Sequence, residues 1–187
     1  MKWFASFPRF LKTFKYAIGF VTNIKMANKS TVFKQTIKQK GYWNYKDLYG
    51  FCFSWLKDRG YTVKENEYTE KNSGAGKEII LDWAADKKVT DYFKNSISVK
   101  WHITQMQDAE IERDGKMVGT NKGDLKIVVE ATLESDYEGG WERSAFVKFM
   151  RGIYDKYIMR TTTEQYEDRA TDDAVEFVSQ VKSFLQL

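Results

Sequence analysis

Three stretches of this 187-residue chain alternate apolar and polar residues with a period of two. Ile79, Leu81, Trp83 and Ala85 alternate with Glu78, Asp82 and Asp86. Ile97, Val99, Trp101 and Ile103 alternate with Ser98, Lys100, His102 and Thr104. Leu125, Ile127, Val129, Ala131 and Leu133 alternate with Lys126, Glu130, Thr132 and Glu134. Successive side chains of a strand point to opposite faces, so each stretch has one apolar and one polar face. Such strands build an antiparallel sheet that is covered on one side. Asp114-Gly115 signals a hairpin between strands near 107–113 and 116–120, and Asn121-Lys122-Gly123 signals the next turn. The expectation is a meander of four or five strands, ended by Glu138-Gly139-Gly140.

Around this meander the period is helical. Phe7, Phe10, Leu11, Phe14, Ile18 and Val21 share one helical face, and Lys2, Arg9, Lys12 and Lys15 take the other. Ser6 suits the cap, and Pro8, the sole proline, suits the first turn. A shorter helix is expected over 31–39, stopped by Gly41. The next runs over 44–59, capped by Asn44 with Asp47 behind it and closed by Gly60, with Leu48, Cys52, Trp55 and Leu56 inward. After the sheet, Phe146, Phe149, Met150, Ile153, Tyr154 and Tyr157 form an apolar stripe that runs to Arg160. Thr161-Thr162-Thr163 reads as a bend or fresh cap, and Ala174, Phe177, Val178, Val181, Phe184 and Leu185 define a last helix. The fold class is therefore α+β: an antiparallel meander of four to five strands covered on one face by N- and C-terminal helices. Residues 1–41 read as a basic amphipathic arm, and 42–187 as a single globular domain.

Aromatic residues make up 16% of the chain, enough buried area to dispense with a disulfide. Cys52, the only cysteine, allows no internal disulfide and is expected in the core rather than as a reactive thiol. That usage suits a reducing, intracellular and cytoplasmic setting, with membrane association through the arm. A Lys-rich chain with one proline also suits a microbial or viral protein. No uninterrupted apolar run is long enough to span a bilayer, and Arg9, Lys12 and Lys15 break the signal-peptide pattern.

Catalytic vocabulary is thin. His102, the only histidine, falls on the polar sheet face, and no Cys/His set has zinc spacing. Ser73-Gly74-Ala75-Gly76-Lys77-Glu78 fails as a phosphate loop: Lys71 and Glu78 stand where Gly and Ser/Thr are required, and a strand follows. It reads as a hairpin connection. Asp108, Glu110 and Glu112, with Asp114 at the turn, make an acidic strand face that discourages edge pairing. A second acidic run, Glu164, Glu167, Asp168, Asp172, Asp173 and Glu176, suits the first half of a helix and offers a dock for the basic arm. Trp83 and Trp101 share a face with aliphatic residues and belong to the core, not to a base-stacking platform. No cofactor or metal is expected.

Charge supplies the functional clue. All 26 acidic side chains lie from Asp47 onward, whereas ten of the 30 basic ones precede it. A basic arm on an acidic body usually meets an anionic partner. The expected function is a small non-enzymatic binding or scaffold module, docked to an anionic membrane surface or acidic protein through Lys2, Phe7, Arg9, Phe10, Lys12, Phe14 and Lys15. Packing of the same helix on the body or on a second copy competes with that reading. An enzyme or ligand carrier with a cavity lined by Tyr154, Tyr157 and Trp101 is the alternative, and nucleic-acid binding stands third. Met26-Ala27-Asn28-Lys29 also reads as a start of its own, which would make 1–25 an upstream extension.

Overall fold

The computed structural model describes residues 28–113, 115–137, 153 and 160–187. Strands Asn28–Trp43 (β1), Thr62–Ser73 (β2), Gly76–Lys88 (β3), Phe93–Arg113 (β4) and Lys116–Ser135 (β5) form one antiparallel sheet in the order β1-β5-β4-β3-β2. Helix Tyr45–Asp58 (α1) joins β1 to β2, and helix Arg160–Leu185 (α2) ends the chain. β2 to β5 are a meander, as the alternation requires. β1 adds to its far edge, so the connection through α1 crosses from one edge of the sheet to the other.

The three alternating stretches place their apolar residues as expected. Leu81, Trp83, Val99, Trp101, Ile103, Ile127 and Val129 are all at most 1% exposed. Both helices cover this inner face: Tyr49 and Phe53 of α1 meet Trp83 of β3 at 4.8 and 5.9 Å, while α2 packs over β1 and β5. The helices touch through Trp55–Phe177 and Phe51–Phe184, each with ring centroids 5.1 Å apart. Each fully buried large apolar side chain contributes about 1.5–3 kcal/mol, so this layer holds most of the fold together. Cys52 is fully buried in it.

α1 forms where its caps predict. The Asn44 side chain accepts from Asp47 N–H at 3.1 Å. Gly60, at φ +82°, closes the C-terminus by donating to Lys57 C=O at 2.9 Å, and Tyr61 N–H donates to Leu56 C=O at 3.0 Å.

Several expectations are corrected. Residues 31–39 are strand, not helix, and β1 pairs with β5 along its whole length. No N-terminal helix among the described residues covers the sheet; α1, between β1 and β2, does so. The sheet thus takes in residues 28–41, which were expected in the arm. Asn121-Lys122-Gly123 is not a turn but the middle of β5, and the expected short strands at 107–113 and 116–120 are the outer halves of β4 and β5. The last helix starts at Arg160, so Thr161-Thr162-Thr163 lies inside it. The arm helix lies outside the described residues. So do Glu138-Gly139-Gly140 and, apart from Ile153, which is helical, the 146–159 stripe.

The long hairpin is bent rather than broken. Pairing of β4 with β5 shifts between Thr104 and Gln107, with Gln105 at φ 55°. A bulge of this kind kinks its strand and brings backbone close to both neighbours. Glycine meets it on each side. A Cβ on Gly76 of β3 would lie 2.8 Å from Gln105 C, and one on Gly123 of β5 would lie 3.0 Å from Met106 Cα. Gly76→Ala should lower stability by about 1–3 kcal/mol. Gly119→Ala, which meets open space, should change it by less than about 0.5 kcal/mol in the same urea titration.

Candidate functional site

The inner face is filled, which leaves the outer face of the sheet, the two ends and the edges for function. Trp101, expected beside a ligand cavity, is 1% exposed and packs edge-on against Trp83 at 5.6 Å. Tyr154 and Tyr157 lie outside the described residues, as do Lys2, Phe7, Arg9, Phe10, Lys12, Phe14 and Lys15. Among the described residues, no group of three or more His, Cys, Asp or Glu side chains is placed to hold a metal ion. The acidic ladder serves structure in part: Asp108 accepts from Asn121 Nδ2 at 3.0 Å, while Asn121 Oδ1 accepts from Tyr45 N–H at 3.0 Å. Asn121 thereby satisfies a first-turn donor of α1 that has no partner within the helix.

The second acidic run is likewise engaged by the body. Asp173 accepts from the buried Tyr61 hydroxyl at 2.8 Å and lies 3.5 Å from Lys87 Nζ, and Glu176 pairs with Arg59. Burial pushes the Tyr61 phenol up, and the Asp173 carboxylate pushes it further. Burial also raises the Cys52 thiol, which keeps it protonated and unreactive. Glu164 and Glu167, by contrast, line a cavity of about 360 Å³ with Lys29, Tyr92 and Arg160, at the end of the sheet where β1 begins.

At that same end Glu134, 5% exposed, is held between two lysines, at 2.5 Å from Lys29 and 2.7 Å from Lys94. Burial alone would raise its pKa. Hydrogen bonds from Lys29 and Lys94 outweigh that and hold the carboxyl below its usual 4.5. Lys29 is the second residue of β1, so this pair of contacts fastens the edge strand where residues 1–27 join it.

The outer face carries most of the polar residues of the strands, and no helix among the described residues packs over it. Most of its charges are matched across strands. Lys34 lies 2.7 Å from Glu130, Lys40 2.8 Å from Asp124, Lys100 3.6 Å from Asp82 and His102 3.0 Å from Glu78. Lys34 pulls the Glu130 pKa down. One row breaks the pattern. Lys38, Lys126 and His102 are directly opposed on β1, β5 and β4, and all three are exposed. Neither Lys38 nor Lys126 has an ion pair among the described residues. The sheet's other directly opposed lysines, Lys88 and Lys94, have Glu134 beside them on Lys94.

His102 thus sits where its strand parity predicts, half-exposed and next to a carboxylate. The Lys38–Lys126 juxtaposition depends on β1–β5 register and on β1 being a strand. The alternation of Lys34, Thr36, Lys38 and Lys40 with Phe33, Gln35, Ile37 and Gln39 is its sequence signal. No protein-family model matches the chain, and no curated protein matches it either.

Two stability predictions follow from this geometry. Glu134→Gln should cost about 1–3 kcal/mol at pH 7, because it removes the acceptor that Lys29 and Lys94 share. The folded pKa of Glu134 is depressed, so its contribution is full above about 4.5 and fades as pH falls through the folded value. Urea titrations of wild type and variant should therefore converge in acid. Lys38→Glu should act in the opposite sense, raising stability by about 0.2–1 kcal/mol by setting opposite charges face to face. An unchanged or lowered urea midpoint for Lys38→Glu would show that the lysine row is not a stability cost.

Proposed function

We propose that the protein is a non-enzymatic binding or scaffold module that docks to an anionic membrane surface through its basic N-terminal segment. The observation that carries this reading is the acid-free run before Asp47, in which Phe7, Phe10 and Phe14 share one helical face while Lys2, Arg9, Lys12 and Lys15 share another. A helix with these two faces lies in the interface, its rings at the acyl boundary and its cations among headgroups. Among the described residues no helix is long and apolar enough to cross a membrane, so the membrane role proposed is attachment from one side.

Magnitudes favour two contributions acting together. Four basic residues at an anionic surface are worth about 4 kcal/mol at about 1 kcal/mol each, which alone gives only a roughly millimolar affinity. Three phenylalanines entering the interface add up to about 1.5–3 kcal/mol apiece. The body supports the same reading, because β1 continues the basic segment with Lys29, Lys34, Lys38 and Lys40.

Co-sedimentation with phosphatidylserine-containing and neutral vesicles tests it. The full chain should bind the anionic vesicles far more tightly, with affinity falling as salt rises. Phe10→Glu/Phe14→Glu, and a chain beginning at Met26, should lose most of that binding. Salt-insensitive binding, equal binding to both vesicles, or no binding at all would sink the proposal.

A further inference from the structure

We infer that the outer face of the sheet, centred on Lys38, Lys126 and His102, is the surface that the body lays against anionic lipid headgroups. The inference rests on the proposed membrane docking and adds an orientation to it: α1 and α2 point away from the bilayer, and the open sheet points toward it.

Charge gives the first reason. Two lysines directly opposed across β1 and β5, with a histidine next in the row, repel one another. Lys34, Lys40 and Lys100 on the same face have carboxylates within 4 Å, and this pair has none among the described residues. A phosphate group between the two ammonium groups would supply the missing negative charge. Toward β2, Lys64 adds an exposed cation with no ion pair among the described residues.

Surface chemistry gives the second. Ile80 and Val128 lie half-buried among these charges, and Thr36, Ser96, Ser98 and Thr132 add hydroxyls. Among the described residues the centre of this face carries no Phe, Tyr or Trp ring: Tyr42 lies at the edge with Lys122 5.6 Å above it, and Tyr137 lies at one end against Lys88 and Lys94. Single-stranded nucleic acid is normally held by several aromatic stacking partners, which this face lacks. A broad, cationic, non-aromatic surface fits headgroups better.

Connectivity gives the third. The arm enters the sheet at β1, whose Lys34, Lys38 and Lys40 all point to the outer face. Lys38 lies about 33 Å along the strand from Asn28, at about 3.3 Å per residue. Docking through the segment that precedes β1 would bring the edge of this face to the surface, because β1 follows that segment directly in the chain.

The test uses full-length protein and single introduced cysteines, which can be labelled selectively because Cys52 is fully buried. An environment-sensitive fluorophore is placed by Thr36→Cys on the outer face or by Val175→Cys on the exposed side of α2. Phosphatidylserine vesicles should shift the Thr36 probe to the blue and leave the Val175 probe unchanged. Lys38→Gln/Lys126→Gln should weaken vesicle affinity about thirtyfold, two lysines at about 1 kcal/mol each. Co-sedimentation with a silent Thr36 probe overturns the inference and leaves docking by the arm intact. A Thr36 probe already blue-shifted without vesicles overturns it too, since residues 1–27 or 138–159 would then cover the face. A shift on single-stranded DNA but not on vesicles replaces lipid by nucleic acid and overturns it. Absence of co-sedimentation removes the arm reading, and this inference falls with it.

Discussion

The single apolar face of the sheet is the constraint on which the rest of the molecule depends. Strands β3, β4 and β5 each present an unbroken inward row, and Trp83 and Trp101 at its centre need cover from end to end. Five strands spaced about 4.8 Å apart span about 19 Å between their outer axes, so two helices about 10 Å wide, side by side, are the smallest complete cover. The chain supplies α1 over β2 and β3, and α2 over β1 and β5. The edge-to-edge connection follows from this: α1 has to cross the inner face to reach its place, and β1 is left pairing with the last strand of the meander. Asp173 and Glu176 then fasten α2 to Tyr61, Lys87 and Arg59 at the seam between the helices.

The bulge in β4 serves the same cover. Straight strands of about 20 residues would carry the β4–β5 hairpin out beyond the helices. The kink at Gln105 turns its outer half, so that Asn121 reaches the N-terminus of α1 and Ile111 and Val118 line a groove with Phe184 and Leu185. Close backbone approach at the kink explains glycine at both 76 and 123 without appeal to turns. The Gly-rich Ser73–Gly76 segment, which superficially suggests phosphate binding, is a two-residue hairpin loop whose last glycine is fixed by the neighbouring strand.

The central strands were legible because burial on one face imposes a period of two that no helix tolerates. β1 was not, since within 31–39 only Phe33 and Ile37 are strongly apolar on the inner face, and their spacing of four suits a helix equally well. Gln35 and Gln39 between and beyond them blur the alternation, and only the outward lysines keep it. β2 was faint for a related reason: it is an edge strand, exposed nearly throughout, so burial leaves little mark on its sequence. Asn121-Lys122-Gly123 has turn chemistry, but Asn121 is there for α1 and Gly123 for the bulge, and both reasons are tertiary. For the candidate surface, strand parity put His102, Lys100 and Lys126 together on the polar face. The opposition of Lys38 and Lys126 could not be read, because it needs both the strand identity of β1 and its register against β5.

That opposition is where stability and function part company. A sheet face selected only to be soluble would set unlike charges opposite one another, as this one does at Lys34 and Glu130, Lys40 and Asp124, and Lys100 and Asp82. The chain departs from the pattern on β1, the strand that carries the basic segment into the fold, and it does so at the centre of the strand rather than at a frayed end. Repulsion between two exposed lysines is small, a few tenths of a kcal/mol in water, and a folded domain tolerates it easily. Against a surface of fixed negative charge the same two lysines are attracted together, and each gains about 1 kcal/mol. The asymmetry between those magnitudes is what makes an unpaired cationic row a cheap feature to keep and an effective one to use.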